Sequence, residues 1–400
     1  MADTIVPYQE LLEPPVKRAA YSDRTAWIMS TMAQLAYLPF EAASSVDAAI
    51  ADVLKLITGK DDPTDQDKAR RLSGNFRRID LEKILKNVAG AEARVDNLED
   101  LKGFLAQLDF ELVKTFSVHI PLIADTQAFL TRMTAVDRAP MLVLAFRGTE
   151  PKKPTDIKTD LKAKPIVLGN LGGPGGSIFV KPGEVNETHR TWPKVKVHPG
   201  FWQAFEAVRQ PLTKILDEPE YRDLPLYITG HSLGGALAVV ATYVLEDDRI
   251  AACYTFGGPR VGNLQFGQRI KPPVYRVVNA SDIVARVPPG VIIDVTTVIL
   301  RAIPMIPYLD KIADFLERFR GYRHYGDMRH LSAAESAFDS ENGATTFPNL
   351  IVRSNPAQIS RWYWLLRRWI ATWGRAAIGD HSIEVYAQKL AFWAKVRSRK

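Results

Sequence analysis

Cysteine is nearly missing from this chain: Cys253 is the only one in 400 residues, so no internal disulfide is possible and nothing calls for an oxidising compartment. Long hydrophobic runs are missing too. The longest apolar stretch, Val291 to Leu309, is interrupted by Asp294, Arg301 and two prolines, which argues against a membrane-spanning helix. Met1 to Val16 is polar and proline-bearing, with no basic region leading into an apolar one, so no secretory signal is recognisable. A cytoplasmic location is expected, with peripheral membrane association compatible with it. His, Asp and Glu do not fall at metal-ligand spacing, and neither a metal nor another cofactor is expected. Internal repeats are absent as well.

What is present is an ordinary globular composition, 46% hydrophobic and 24% charged, large enough for a sizeable α/β core with additions. Charge is unevenly spread. The formal net charge is +7, yet residues 351–400 alone hold ten Lys or Arg against Asp380 and Glu384, leaving the rest of the chain near neutral. A basic tail on a neutral body suggests an anionic surface as partner, phospholipid or nucleic acid.

The most informative string is GHSLGG at 230–235, after the apolar run Leu224 to Ile228 and before Ala236 to Leu245. A serine at a strand-to-helix turn adopts a strained backbone, and Gly230 and Gly234 flank it because a Cβ there would meet the neighbouring chain. That is a nucleophile elbow, also containing His231. Its hydroxyl stands at a helix N-terminus, where backbone N–H groups can stabilise an oxyanion. The alternative is a glycine-rich turn with a serine N-cap, and the strand–helix context favours acyl-transfer chemistry over it.

Around the elbow, strands and helices alternate: strand 141–146, helix 201–216, strand 224–229, helix 232–245, strand 251–256, helix 262–270, strand 274–279. This spacing predicts a mainly parallel sheet with helices on both faces. Further strands are expected around Phe116 to Val118 and Thr126 to Leu130. Residues 22–38 predict a helix stopped by Pro39, and 44–107 a helical insertion. The glycine cluster at 169–176 lacks phosphate-loop spacing and reads as a surface loop. Residues 1–20 read as an extension and 21–400 as one domain, with a second, apolar and helical insertion about 290–375.

Ser232 is a poor nucleophile alone and needs a base held by an acid. In the hydrolase order Ser, acid, His, the acid sits in a loop after a downstream strand. Asp282 follows strand 274–279 across Ala280–Ser281, although Ser-Asp is also common in turns. Of seven histidines, four precede Asp282; His231 among them adjoins the nucleophile and reads as a support. His324 and His330 lie in the basic stretch GYRHYGDMRH, and His381 in a loop opening a helix. Chain order and position alone leave His381 and His324 both open.

The blocks AFRGTE (145–150), GHSLGGALA (230–238), YTFGGPRVGN (254–263) and VYRVVNASDIVARVPP (274–289) resemble the class 3 lipase family. These are α/β-hydrolases that include fungal triacylglycerol lipases and plant acyl-lipid hydrolases. The resemblance implies an α/β-hydrolase fold and a lipid ester substrate. It implies Asp282 as acid and, through the late D-H-x-x-x-x-Y segment, His381 rather than His324 as base. It also implies an oxyanion hole from the N–H of Leu233 and from Thr149. Arg147 reads as structural, with Asp160 a candidate partner. Triacylglycerol lipase is the first activity it suggests; phospholipase A1, monoacylglycerol-type hydrolysis and transacylation remain alternatives, as does a noncatalytic membrane-associated role. Oligomeric state is unreadable.

Two stretches depart from the family pattern. Asp282 and His381 are 99 positions apart, with the apolar segment 290–319 between them, a candidate cover for Ser232. The usual lid position, 151–164, holds five lysines and makes a poor apolar flap. Arg361 to Arg375 reads RWYWLLRRWIATWGR, with Trp362, Trp369 and Trp373 at helical spacing and arginines interleaved. That pattern suits a helix lying on a membrane or lipid-droplet surface, or else a core helix with snorkelling arginines. Tryptophan interleaved with arginine fits lipid better than nucleic acid, which is not expected as a partner.

Overall fold

A computed structural model describes residues 18–38, 98–120, 124–148, 166–170, 177–180, 195–286, 321–339, 344–373 and 376–398. In chain order its named elements are α1 (Asp23–Leu35), β1 (Phe110–Ile120), β2 (Ala124–Met133), β3 (Leu142–Phe146), β4 (Ile166–Asn170), β5 (Ser177–Val180), β6 (Val195–Val197), α2 (Pro199–Leu216), β7 (Leu226–His231) and α3 (Leu233–Leu245). There follow β8 (Ile250–Phe256), β9 (Gly262–Asn263), α4 (Leu264–Gln268), β10 (Val274–Asn279), β11 (Tyr322–Arg323), β12 (Asp327–Leu331), β13 (Ala337–Asp339), β14 (Ala344–Thr346), β15 (Val352–Ser354), α5 (Gln358–Thr372), α6 (Ala376–Gly379) and α7 (Ile383–Ser398).

The main sheet has eight strands in the order β1-β2-β3-β7-β8-β10-β12-β15. Its centre, β3 to β12, is parallel throughout, and β1, β2 and β15 close the edges antiparallel. This is the mainly parallel sheet expected from the alternation of elements, in the α/β-hydrolase arrangement that the family resemblance implies. Parallel strands buried on both faces read as continuous apolar runs, and every residue of β3 and β8 is buried. Their side chains nonetheless divide with period two. Leu142, Leu144 and Phe146 join α2 and α3 in one core cluster. Val143 and Ala145 join α1 and α7 in the other. Burying each such aliphatic or aromatic side chain contributes about 1.5–3 kcal/mol.

Several element boundaries differ from the sequence reading, for local reasons. The first helix ends at Leu35 and turns through Leu38. The residue before Pro39 disfavours helical dihedrals, so the last turn unwinds. Strand β7 runs two residues further than expected, to His231, and brings the elbow to the sheet edge. The expected helix 262–270 is shorter, because Gly262–Asn263 pairs into a second, antiparallel sheet ordered β11-β9-β6-β4-β5 and Asn263 caps α4 by accepting from the Phe266 N–H. Gly169 and Asn170, read as loop, lie in β4 of that sheet. Residues 327–331, assigned to the 290–375 insertion, form β12 of the main sheet, beside β10. Their sequence, DMRHL, is too short and polar to stand out as a buried strand. Within the expected helical insertion, residues 98–107 are helical. Residues 44–97, 151–164 and 287–320, and so both candidate lids, lie outside the described residues.

Candidate active site

Three residues far apart in sequence meet at the carboxyl end of the central strands. Ser232 joins β7 to α3 with φ 56° and ψ −126°, a strained conformation for a residue with a Cβ. The strain holds because the neighbouring backbone leaves no alternative path. A Cβ on Gly230 would run into the Gly234 carbonyl, and one on Gly234 into the carbonyl of Phe146 and the backbone of Arg147 and Gly148. Glycine thus allows β3, β7 and α3 to close on one another around the serine.

His381 Nε2 lies 2.9 Å from Ser232 Oγ, and His381 Nδ1 lies 2.9 Å from Asp282 Oδ2. An ionised carboxylate only accepts, so Nδ1 carries the proton and Nε2 offers its lone pair to the hydroxyl. Asp282 is fully buried and accepts two further hydrogen bonds: Tyr386 Oη donates to Oδ2 at 2.6 Å and the Val284 N–H to Oδ1 at 2.8 Å. Burial and the Asp282 charge push the Tyr386 phenol well above its ordinary value, which keeps it a donor.

His381 is held from behind. His231 Nε2 donates to the His381 carbonyl at 2.6 Å, leaving Nδ1 to accept from Tyr37 Oη at 2.7 Å. Burial and the neighbouring His381 keep His231 well below the ordinary imidazole range, so it remains the neutral tautomer those two bonds require. The unwound end of α1 thereby supplies Tyr37 to the site.

A second network joins the loop carrying Asp282 to the loop carrying His381. Arg368 of α5 grips Asp380 with two bonds of 2.7 Å. Asp380 in turn accepts from the Ser281 N–H at 2.9 Å, while its carbonyl accepts from Asn279 Nδ2 at 2.9 Å. Lys389, only 2% exposed, donates to Asn279 Oδ1 and the Ser332 carbonyl, both at 2.8 Å. Its burial lowers the ammonium to about 8.

The other histidines serve elsewhere. His324 Nε2 donates to the Ala285 carbonyl at 2.6 Å, and burial together with Arg276, Arg260 and Arg361 depresses its basicity. His330 Nε2 donates to the Ala280 carbonyl at 3.1 Å and its ring stacks on Trp364 at 5.0 Å; burial lowers it to about 4. Neither touches Ser232.

Leu233 is the first residue of α3, where a backbone N–H has no intrahelical partner. Thr149 lies outside the described residues; its predecessor Gly148 lies beside the elbow, where a Cβ would stand 3.2 Å from Ser232 Cβ. Arg147 Nη1 donates to Gln127 Oε1 at 2.5 Å, and Asp160 also lies outside the described residues.

Position and chemistry had not singled out Tyr37, Asn279, Arg368, Asp380, Lys389 or Gly257. Gly257 has φ +58°, and a Cβ there would meet Asp282 Oδ2 and the His381 ring. The pair Gly257–Gly258 directly after a buried strand was the available signal. The others act through long-range contacts that leave no local pattern.

The tryptophan-bearing helix is not a core element. α5 buries none of its residues, and Ile359, Trp362, Tyr363, Leu366, Trp369, Ile370 and Trp373, spaced three and four apart, are all exposed. Its opposite face holds the body through Trp364 on His330, Arg368 on Asp380, and Arg361 Nη1 on Met328 Sδ at 3.3 Å. Among the described residues, no helix is long and apolar enough to cross a membrane.

Residues 143–292 match the family model described as Lipase (class 3). Among curated proteins the chain is similar to phospholipase A1-Igamma1, chloroplastic, of Arabidopsis thaliana, at 34% identity over 141 residues, covering 28% of this chain and 27% of that one. It is also similar to triacylglycerol lipase OBL1 of the same plant, at 28% identity over 266 residues, covering 57% and 49%. The solved structure of lipase II from Rhizopus niveus aligns with 63% of this chain and 73% of that chain at 23% identity and a TM-score of 0.39. The chain therefore spans between about a quarter and a half of the length of these plant relatives.

Proposed function

Residues 143–292 belong to the class 3 lipase family, and on that premise we propose that the protein is a serine carboxylester hydrolase of lipid esters, of the triacylglycerol lipase type. The observation that carries the proposal is the continuous array from Ser232 Oγ through both nitrogens of His381 to buried Asp282. Ser232 attacks the ester carbonyl while His381 Nε2 takes its proton. Asp282 holds the imidazole in the required tautomer and stabilises the imidazolium. The N–H groups of Leu233 and Thr149 receive the developing oxyanion. Proton return from His381 expels the alcohol, and water activated by the same imidazole releases the fatty acid from the acyl-enzyme.

Ser232→Ala is expected to lower kcat for a soluble nitrophenyl ester by at least about a thousandfold with the melting temperature unchanged, because losing a triad nucleophile costs orders of magnitude. Retention of a tenth of the wild-type rate would remove the assignment. The similarity to a phospholipase A1 favours one second reading, hydrolysis of the sn-1 ester of a phospholipid. A panel of triacylglycerols, monoacylglycerols and phospholipids, with and without an acceptor alcohol, separates these substrates and transacylation.

The exposed apolar face of α5 supports a membrane or lipid-droplet surface as partner. Indoles and guanidiniums interleaved on one helix suit the boundary between an apolar phase and headgroups.

A further inference from the structure

We infer that Arg368 is a positioning residue of the Ser232–His381–Asp282 array and acts on it through Asp380. The inference deepens the hydrolase reading above and rests on it. Asp380 immediately precedes His381 in the chain, and Ser281 immediately precedes Asp282. One carboxylate joins the two loops: Asp380 Oδ2 accepts from the Ser281 N–H at 2.9 Å. A shift of Asp380 therefore moves both loops, and with them the two spacings of 2.9 Å that set His381 between Asp282 and Ser232.

Arg368 is what holds that carboxylate. Its Nε donates to Asp380 Oδ2 and its Nη2 to Oδ1, each at 2.7 Å. Two parallel N–H bonds from a planar guanidinium fix the plane of the carboxylate as well as its distance, which the point charge of a lysine ammonium does not. The Asp380 side chain is only 6% exposed, so water is a poor substitute for the guanidinium. A carboxylate buried without its cation is costly, and the loop relieves that cost only by turning Asp380 outward, away from the Ser281 N–H.

The guanidinium comes from α5, a helix that lies in the interval of 99 positions between Asp282 and His381 and buries none of its own residues. Four residues earlier on the same helix face, Trp364 stacks on His330 at 5.0 Å, and His330 Nε2 donates to the carbonyl of Ala280, the neighbour of Ser281. The inner face of α5 thus reaches the turn before Asp282 by two routes, one polar and one aromatic. Arg367, the next residue along, serves as a control for charge alone: it is exposed and, among the described residues, forms no ion pair.

The test is steady-state hydrolysis of a short, soluble nitrophenyl ester by the full chain. Arg368→Gln is expected to lower kcat about thirtyfold with KM held within about twofold, since misplacing reacting groups by about 1 Å costs up to about a hundredfold. Arg368→Lys keeps the charge and loses the fork, and should recover kcat to within about fivefold of the wild type. Arg367→Gln removes the same charge one position away and should leave kcat unchanged. In an Asp380→Asn background, Arg368→Gln should cost no more than about twofold, because its effect runs through the carboxylate already removed. An equal loss in both backgrounds overturns the inference, as does wild-type kcat in Arg368→Gln or the same loss in Arg367→Gln. If Arg368→Gln does not fold, Asp380→Asn carries the test with about a tenfold fall in kcat, and an unchanged kcat there overturns the inference. That variant strands no carboxylate, and Arg368, 26% exposed, keeps access to water. The low-field proton signal of the His381 Nδ1–H to Asp282 hydrogen bond, identified by its loss in His381→Ala, reads the same geometry without turnover. It should shift or broaden in Arg368→Gln and not in Arg367→Gln. A wild type that hydrolyses no ester sinks the hydrolase reading, whereas a signal unmoved in Arg368→Gln sinks the positioning role, so the two failures are read separately.

Discussion

The two arms of the site are built in opposite ways. The serine arm, from β7 through Ser232 into α3, is made of consecutive residues whose shape is dictated by glycines at fixed offsets and by the Phe146 to Gly148 backbone. The Asp282–His381 arm brings together Asn279 to Asp282, Asp380 and His381, Tyr386 and Lys389 through hydrogen bonds spanning about a hundred positions. In the first, steric exclusion sets the geometry. In the second, hydrogen bonds among buried polar groups set it, and such groups are costly to leave unpaired. A steric device tolerates almost no change at its glycines; a polar device loses function in graded steps and depends on pH.

Gly234→Ala should therefore have the largest effect. Its Cβ would meet the Phe146 carbonyl and adjoining backbone, which cannot swing aside as a side chain tip can. A loss of about 3 kcal/mol or more in urea unfolding is expected, with ester hydrolysis falling as the 146–148 segment moves off the elbow. An active, fully stable Gly234→Ala protein would mean that the elbow is not the rigid member of the pair.

Next comes Lys389. Burial lowers its ammonium to about 8 from 10.5, so between those values the unfolded chain binds the extra proton. Below about pH 8 both states are charged and the full burial penalty weighs on the folded chain; as pH rises through the window that penalty is relieved. Relative to Lys389→Met, wild-type stability should rise by up to roughly 3 kcal/mol between those limits. A stability difference independent of pH would show that the ammonium is not desolvated in the polar arm.

The smallest effect is expected of Tyr386→Phe, which removes one donor to the buried Asp282 carboxylate. Stability should fall by about 2 kcal/mol, and kcat by roughly tenfold, with KM for a short ester little changed. If kcat is untouched, Asp282 is held well enough by the Val284 N–H and His381 Nδ1.

How legible each part was follows from the same contrast. The elbow and the parallel core could be read because steric and apolar requirements repeat at short, fixed spacing: glycine two residues either side of Ser232, and continuous apolar runs for β3 and β8. The place of Asp282 after a strand was readable, but preferring His381 to His324 as the residue facing Ser232 needed a family resemblance, since two histidine-bearing loops downstream of an aspartate look alike in one dimension. β12 went unread because DMRHL is short and polar, and its strand state comes from pairing with β10. Arg368 and Trp364 share a helix whose sequence suits both a core and a surface. Neighbours decided which face turned inward.

By itself the sequence determined the strand–turn–helix around Ser232, the alternation that makes a parallel sheet, and the amphipathic spacing of α5, because each depends on contacts within one or two turns of chain. Only the tertiary structure brought His381 to the serine, tied the Asp282 and His381 loops together through Arg368, Asp380 and Lys389, and turned the tryptophan face of α5 outward. Those outcomes rest on partners about a hundred residues away and on the burial of polar groups, whose energies exist only once the sheet has brought them together.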